Sequence, residues 1–295
     1  MSEKKQKSIL TVPVLIFGFA AVIALPLRTL QFFTVLEAGT GFYSKLDWSV
    51  YALYAVLGAA AIALIITSGL NRKQLACDTS AKKRVPAGIC SVLAGGGVLV
   101  SGVQVILDAL AAANGQTISF LSLNAFLQTF AAFNRTGAAV LIAEGVFAVV
   151  SALFFAVYGI VLVTNAFDTA KLKLLSLAPV VWGIFRIVFR FMRTISFSKV
   201  SDLLFELFML SFLIMFFMAF AQINAGINSK NLEWKLVGYG LPCALMCLVC
   251  FVPRLAVILT GNTELLYESS GVEICDLAVV LFIFSNVFTR VGKRA

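Results

Sequence analysis

The residues best suited to chemistry in this sequence are ionisable side chains that interrupt long apolar stretches. Four are basic and four are acidic: Arg28, Arg186, Arg190, Arg254, Asp108, Glu144, Glu206 and Asp276. A charge inside a hydrocarbon core costs at least ~2.5 kcal/mol, so we expect these side chains to face one another or water. Guanidiniums bind carboxylates and phosphates, and carboxylates exchange protons. The expected chemistry is therefore anion binding or charge exchange.

Three arginines are spaced to lie on one face of a helix. Arg186, Arg190 and Arg193 follow an i, i+4, i+7 pattern, and Trp182 lies one turn before them. Guanidiniums beside an indole would hold the acid group of an apolar or aromatic ligand. The candidate ligand-binding residues are Arg186, Arg190, Trp182, Arg254 and Arg28. The candidate proton-coupling or ion-pair residues are Asp108, Glu144, Glu206 and Asp276.

A second interpretation of the same charges is structural. Asp202 and Glu206 share a face of the following segment, so Arg186 and Arg190 would pair with them across a hairpin. Near-cancellation of charge favours this pairing, whereas the spread of the charges over most segments favours a binding site. The sequence leaves both interpretations open.

The elements that must position these residues are transmembrane helices. The 295-residue chain is 61% hydrophobic and 13% charged, which lies outside the composition of a soluble domain. Its apolar runs are long enough to cross a membrane. We expect an all-α integral membrane protein, a polytopic bundle of about eight transmembrane helices that forms a single domain over 1–295. The predicted spans are Ile9–Leu30, Val50–Leu70, Gly88–Ala112, Gly137–Val163, Leu174–Met192, Leu203–Ala225, Val237–Leu259 and Val272–Val291.

The distribution of Lys and Arg predicts the orientation. With a cytoplasmic N-terminus, the basic clusters within 4–7, 72–84, 171–173, 230–235 and 290–294 all face the cytoplasm. The opposite segments hold Lys45, Arg135, Arg193 and Lys199. The positive-inside rule then predicts that both termini are cytoplasmic. We expect the protein to lie in the plasma (inner) membrane. The ionisable residues would lie in the outer half, around a vestibule that opens outward above a dry apolar plug, with Gln31, Tyr43 and Tyr54 at a similar height.

Two pairs of similar segments favour an internal duplication. Residues 27–32 (LRTLQF) resemble 192–197 (MRTISF), and 66–73 (ITSGLNRK) resemble 223–230 (INAGINSK). A four-plus-four parallel repeat with halves 1–165 and 166–295 would explain the shared order. The alternative is that Gly, Asn and Lys are ordinary residues where helices leave a membrane.

Cysteine and glycine patterns indicate packing. Cys243, Cys247 and Cys250 form a helical stripe, but a metal site would need further ligands and the chain has no His, so we interpret them as packing residues. Gly95-Gly96-Gly97, followed by Ser101 and Gly102, predicts a close contact between helices.

The residue types that are missing narrow the function. The chain has no His and no Gly-rich phosphate loop, so we expect no enzyme, cofactor or metal site. The first hypothesis is a gradient-driven transporter of a small anionic or zwitterionic solute. The alternative is a non-transporting membrane sensor or scaffold subunit whose intramembrane charges are interhelical salt bridges. In the second case the basic loop 71–86 would dock a cytoplasmic partner. In either case the net charge of +9 favours contact with membrane lipid rather than nucleic acid.

Overall fold

The computed structural model describes residues 3–37, 43–45, 47–72, 75–77, 84–112, 138–165, 169–192, 200–227, 232–262, 265 and 273–293. In these residues the chain is helical apart from short connections and one pair of short strands. The helices are α1 (Glu3–Thr34), α2 (Trp48–Leu70), α3 (Val85–Ala112), α4 (Ala138–Thr164), α5 (Ala178–Met192), α6 (Val200–Asn224), α7 (Glu233–Leu259) and α8 (Ile274–Arg290).

The helices lie where hydropathy predicted membrane spans, and each predicted span overlaps one helix. Within the described residues, 6 helices are long and apolar enough to cross a membrane, namely α1 to α4, α6 and α7. The other two are shorter, with 15 residues in α5 and 17 in α8. The prediction of a multi-pass helical membrane bundle is confirmed.

Helix α7 lies at the centre of the bundle. It packs against α1, α2, α6 and α8, and most of its side chains are buried. The helix is continuous through Pro242 and Pro253. It ends at Leu259, and Gly261 then adopts a φ of +78°, a left-handed conformation that glycine reaches without strain.

Aromatic rings fill the space between α4, α6 and α8. Phe155 and Tyr158 of α4 lie 4.6 and 6.0 Å from the ring of Phe282 on α8. Phe220 of α6 lies 5.2 Å from the same ring. All four rings are buried, and the Tyr158 hydroxyl donates a hydrogen bond of 3.0 Å to Oδ1 of Asn286 within this layer. This aromatic layer therefore holds the Tyr158 hydroxyl and the Asn286 amide in an internal hydrogen bond.

Small residues bring α3 close to two neighbouring helices. A Cβ added at Gly95 would lie 2.9 Å from a backbone oxygen of α4, and one at Gly102 would lie 2.8 Å from Ala148 Cβ. At Gly97 the added atom would lie 2.7 Å from Ala278 Cβ on α8. The predicted close contact is confirmed at these three glycines, whereas Gly96 faces open space.

A short strand pair joins the segments that follow α2 and α8. Strand β1 (Leu75–Cys77) pairs antiparallel with β2 (Val291–Lys293), and Leu75 lies opposite Lys293. The two helices therefore end on the same side of the bundle, as an even number of crossings between them requires. This strand pair was not predicted from the sequence, because three-residue strands carry no recognisable periodicity.

Several sequence predictions fall outside the described residues. These include residues 193–197 of the possible repeat, and Arg193 itself. The division into halves 1–165 and 166–295 remains a prediction.

Candidate functional site

Arginines of α5 meet acidic residues at the start of α8. The Arg186 Nη2 atom lies 3.0 Å from Asp276 Oδ1, and Arg186 also pairs with Glu273. Arg190, one helical turn further along, pairs with the other oxygen of Glu273. Glu273 therefore bridges the two arginines and, together with Asp276, joins α5 to α8.

Glu206 of α6 extends these contacts to α7. Its Oε2 atom lies 2.9 Å from Arg190 Nε, and its Oε1 atom accepts a hydrogen bond of 2.8 Å from Arg254 Nη2. The pairs form one continuous chain across four helices, which we call the ion-pair network: Asp276, Arg186, Glu273, Arg190, Glu206 and Arg254. Its arginines and acids are equal in number, so their formal charges cancel.

The ion-pair network is largely shielded from solvent. The side chains of Arg186 and Asp276 are 2% and 3% exposed, and that of Arg254 is 4% exposed. Glu273 is the most accessible member, with 27% of its side chain exposed. The arginines that we expected to line an open vestibule are thus covered by their partners. Pairing lowers the cost of holding these charges in an apolar bundle.

Trp182 lies beside Arg186, one turn along α5. The guanidinium carbon is 5.6 Å from the indole centroid, and both side chains are buried. Glu144 of α4 is 5% exposed and lies close enough for its charge to act on Arg186. The Arg186 Nη1 atom is buried and has no hydrogen-bond partner among the described residues. This guanidinium therefore retains a donor for one more acceptor.

Arg28 of α1 is held in an aromatic setting. Its guanidinium carbon lies 4.9 Å from the ring centroid of Phe32 and 5.0 Å from that of Phe205. The Nη1 atom donates hydrogen bonds to Gln31 Oε1 at 3.0 Å and to the Tyr43 hydroxyl at 2.8 Å. Phe205 is the chain neighbour of the network's acid on α6, so Arg28 lies beside the ion-pair network. The sequence had placed Arg28, Gln31 and Tyr43 at one height but gave no sign of the two phenylalanines.

The hairpin pairing proposed from sequence is found for Arg190, whereas the described partners of Arg186 lie at the start of α8. Arg190 pairs with Glu206 of α6, whereas Arg186 pairs with Asp276 and Glu273. In an antiparallel hairpin, the residues that face Arg186 come one turn later on α6, where the chain is apolar. The acid side chains at the start of α8 supply the partners instead. The side chain of Asp202 lies outside the described residues.

Glu273 was not among the residues predicted from the sequence, and Asp108 was predicted to belong with acids from which the structure separates it. Glu273 lies within the predicted eighth span, three residues before Asp276, so a shared helical face was the signal that could have found it. Asp108 is exposed on α3 and forms no ion pair with any described residue. Its chemistry is therefore separate from the ion-pair network.

Acid and thiol groups also cluster at the start of α8. Glu273, Cys275 and Asp276 each place one potential ligand atom within 4.8 Å of the others. Both acids already pair with Arg186, whose positive charge opposes a bound cation. We assign these carboxylates to arginine binding. The thiol stripe of α7 is buried in the bundle core, as a packing role requires: Cys243, Cys247 and Cys250.

The ion-pair network presents two neighbouring guanidiniums to one carboxylate. Two neighbouring guanidiniums can bind a carboxylate, and a carboxylate that already occupies them can be displaced.

No protein-family model matches this chain, and no curated protein or solved structure is significantly similar to it.

Proposed function

We propose that this protein is a gradient-driven transporter of a small anionic or zwitterionic solute. The observation that carries the proposal is the ion-pair network, six charged side chains gathered inside an apolar helical bundle. Charges inside membrane helices are costly to retain, and they commonly mark solute or ion pathways. Because Glu273 is partly exposed, a solute could reach the ion-pair network from solvent at this residue.

The division of roles follows from the contacts. Arg186 and Arg190 hold the acid group of the solute, and Trp182 offers an apolar surface beside it. Arg254 or Arg28 assists. The acids exchange a proton or neutralise the arginines when no solute is bound: Glu144, Glu206 and Asp276. The aromatic layer on α4, α6 and α8 closes the path beneath, because an apolar barrier stops leakage of ions.

The proposed setting is the plasma (inner) membrane with both termini in the cytoplasm. Support comes from the basic clusters on one side of the predicted spans. The ends of α5 and α7 that carry Arg186, Arg190 and Arg254 then face outward, so solute enters from outside. Anionic lipid at the inner surface would contact the basic segments.

The alternative function is a non-transporting sensor or scaffold subunit. It is favoured by the pairing itself, since each acid of the ion-pair network contacts an arginine of another helix. Ion pairs of this kind hold helices in register. The basic loop 71–86 would then dock a cytoplasmic partner, and no solute would be required.

A ligand screen on purified protein separates these two functions. Thermal unfolding in detergent is followed with pooled carboxylates, phosphates, amino acids and lipids, for the parent, Arg186→Gln and Arg190→Gln. A ligand that binds the folded state raises the unfolding temperature. We expect a stabilising solute whose effect is lost in both variants and kept in Arg72→Gln, a control at an exposed arginine outside the network. A solute found in this way is then tested for gradient-driven uptake into proteoliposomes.

The opposite result identifies a scaffold. If no solute stabilises the parent while Arg186→Gln and Arg190→Gln unfold at much lower temperature, the arginines serve helix packing and the transporter proposal is wrong.

A further inference from the structure

Glu273 differs from the other members of the ion-pair network in its position and exposure. Its side chain is 27% exposed, whereas the others are 12% exposed or less. It lies one residue before α8, outside the helix. One of its oxygens pairs with Arg186 and the other with Arg190. Glu273 therefore occupies the two arginines in the way that the carboxylate of a ligand would.

Each remaining member of the ion-pair network keeps an oppositely charged partner when Glu273 is taken away. Arg186 keeps its contact with Asp276, and Arg190 keeps its contact with Glu206. Arg254 keeps its hydrogen bond to Glu206 as well. Withdrawal of Glu273 thus leaves an ordered pair of guanidiniums and removes one negative charge from a balanced set. The charge that restores the balance is that of one monovalent anion.

The donors at this position favour a carboxylate over other anions. Two guanidiniums one helical turn apart already hold two oxygens of one planar acid group, and this geometry suits a carboxylate. A phosphate dianion would bring one charge more than the network lacks. The Arg186 Nη1 atom, which has no hydrogen-bond partner among the described residues, offers a further donor beside the acid group.

We propose that Glu273 is an internal ligand, which a small monocarboxylate replaces on Arg186 and Arg190. This inference rests on the binding role proposed for the two arginines, and it names the solute class. An internal competitor lowers the apparent affinity for the external one, because only the fraction of molecules with Glu273 withdrawn can bind it. Removal of the Glu273 carboxylate should therefore raise the affinity for monocarboxylates.

The test measures acetate binding to Glu273→Ala by thermal unfolding and by calorimetry. We expect Glu273→Ala to bind acetate about tenfold or more tightly than the parent, and acetate to raise its unfolding temperature. Acetamide, which has the same shape and no charge, should have no effect. Inorganic phosphate should bind Glu273→Ala more weakly than acetate.

Three variants act as controls. Asp108→Ala removes an exposed acid outside the network and should gain no acetate affinity. Glu273→Ala combined with Arg190→Gln should lose the gain, because one of the two guanidiniums is missing. Glu273→Gln keeps the size of the side chain and replaces Glu273→Ala if that variant does not fold. It is purified with and without acetate, and its acetate affinity is compared with that of the parent in the same way.

The inference is overturned if Glu273→Ala and Glu273→Gln bind acetate no better than the parent, or if acetamide stabilises them equally. A gain in acetate affinity without gradient-driven uptake by the parent would support the internal ligand and contradict transport. Uptake of another solute class, without any gain for acetate, would support transport and contradict the internal ligand.

Discussion

Glu206, like Glu273, pairs with two arginines, and it joins α5 to α7 through α6. Its two oxygens contact Arg190 and Arg254 at 2.9 and 2.8 Å, and its side chain is 12% exposed. Coulombic attraction is strong in such an environment because little water screens it. The same burial makes loss of one partner costly, since the remaining charges are poorly solvated.

Replacement of Glu206 by Gln should therefore lower the stability of the bundle. Glu206→Gln keeps the shape of the side chain but removes the negative charge between two guanidiniums. We expect the free energy of unfolding to fall by about 3 kcal/mol, measured by denaturant unfolding in detergent micelles. Asp108→Asn is the matched control and should change stability little, because Asp108 is exposed and forms no ion pair with any described residue. Equal stability of Glu206→Gln and the parent would contradict a stabilising network.

The candidate residues could be predicted from the sequence more readily than their partners. A charged residue inside an apolar run can be recognised from the sequence alone. Arg186, Arg190 and Asp276 were identified in this way. The pairing of Arg186 with Asp276 joins residues 90 positions apart. It depends on the depth and rotation of two helices, and hydropathy specifies neither. Glu273 was overlooked although its spacing from Asp276 placed both acids on one helical face.

At the scale of elements, α3 and α4 approach each other closely, as the glycines of α3 indicated. A Cβ added at Gly159 of α4 would lie 2.6 Å from the backbone oxygen of Gly88 on α3. Backbone atoms cannot rotate away as a side chain can. Helices in membranes associate through such small residues. Lipid tails are as apolar as the side chains, so burial of apolar surface does not drive association and close packing does.

Gly159→Ala should separate α3 from α4 and destabilise the protein. The added methyl group requires a shift of backbone, and overpacking of this kind costs about 1–3 kcal/mol. The control is Gly96→Ala on the neighbouring helix α3, where no atom lies within 4 Å of the added Cβ. This substitution should leave the free energy of unfolding unchanged or raise it slightly. Denaturant unfolding of both variants in the same detergent measures the difference. A smaller loss in Gly159→Ala than in Gly96→Ala would contradict the close packing.

The positions of the helices could be predicted from hydropathy. In lipid, the backbone N–H and C=O groups of each apolar run must form hydrogen bonds within that run, and a helix achieves this. Helix ends were less predictable. The fifth span was predicted from Leu174, but α5 begins at Ala178, after 3₁₀ turns at Thr169–Leu172 and Leu175–Leu177. Pro179, in the first turn, suits a helix start because it lacks the N–H that would remain unpaired there. This signal was present in the sequence and marks the boundary better than hydropathy does.

At the scale of the whole molecule, the two ends of the bundle differ in chemistry. One end carries the ion-pair network and Arg28 with its aromatic neighbours. The other end carries the strand pair of Leu75–Cys77 with Val291–Lys293. The segments flanking this strand pair are rich in Lys and Arg. This polarity requires the basic end to face the cytoplasm if the positive-inside rule holds.

Labelling of single cysteines in intact cells tests that orientation. The chain has 6 cysteines, which are first replaced by Ala or Ser. Lys45→Cys lies between α1 and α2, and Asn71→Cys lies directly after α2. We expect a membrane-impermeant thiol reagent to label Lys45→Cys in intact cells, and Asn71→Cys only after the membrane is opened, with the cysteine-free protein as control.

Each other labelling pattern contradicts a different part of the arrangement. Labelling of Asn71→Cys alone in intact cells would mean that the bundle has the opposite orientation. The ion-pair network would then lie on the cytoplasmic side, and solute would enter from there. Labelling of both positions from one side would mean that α2 does not cross the membrane, although its 23 residues are long enough to do so. The expected pattern places Glu273 and its two arginines on the outer side, where a monocarboxylate added outside cells would reach them first.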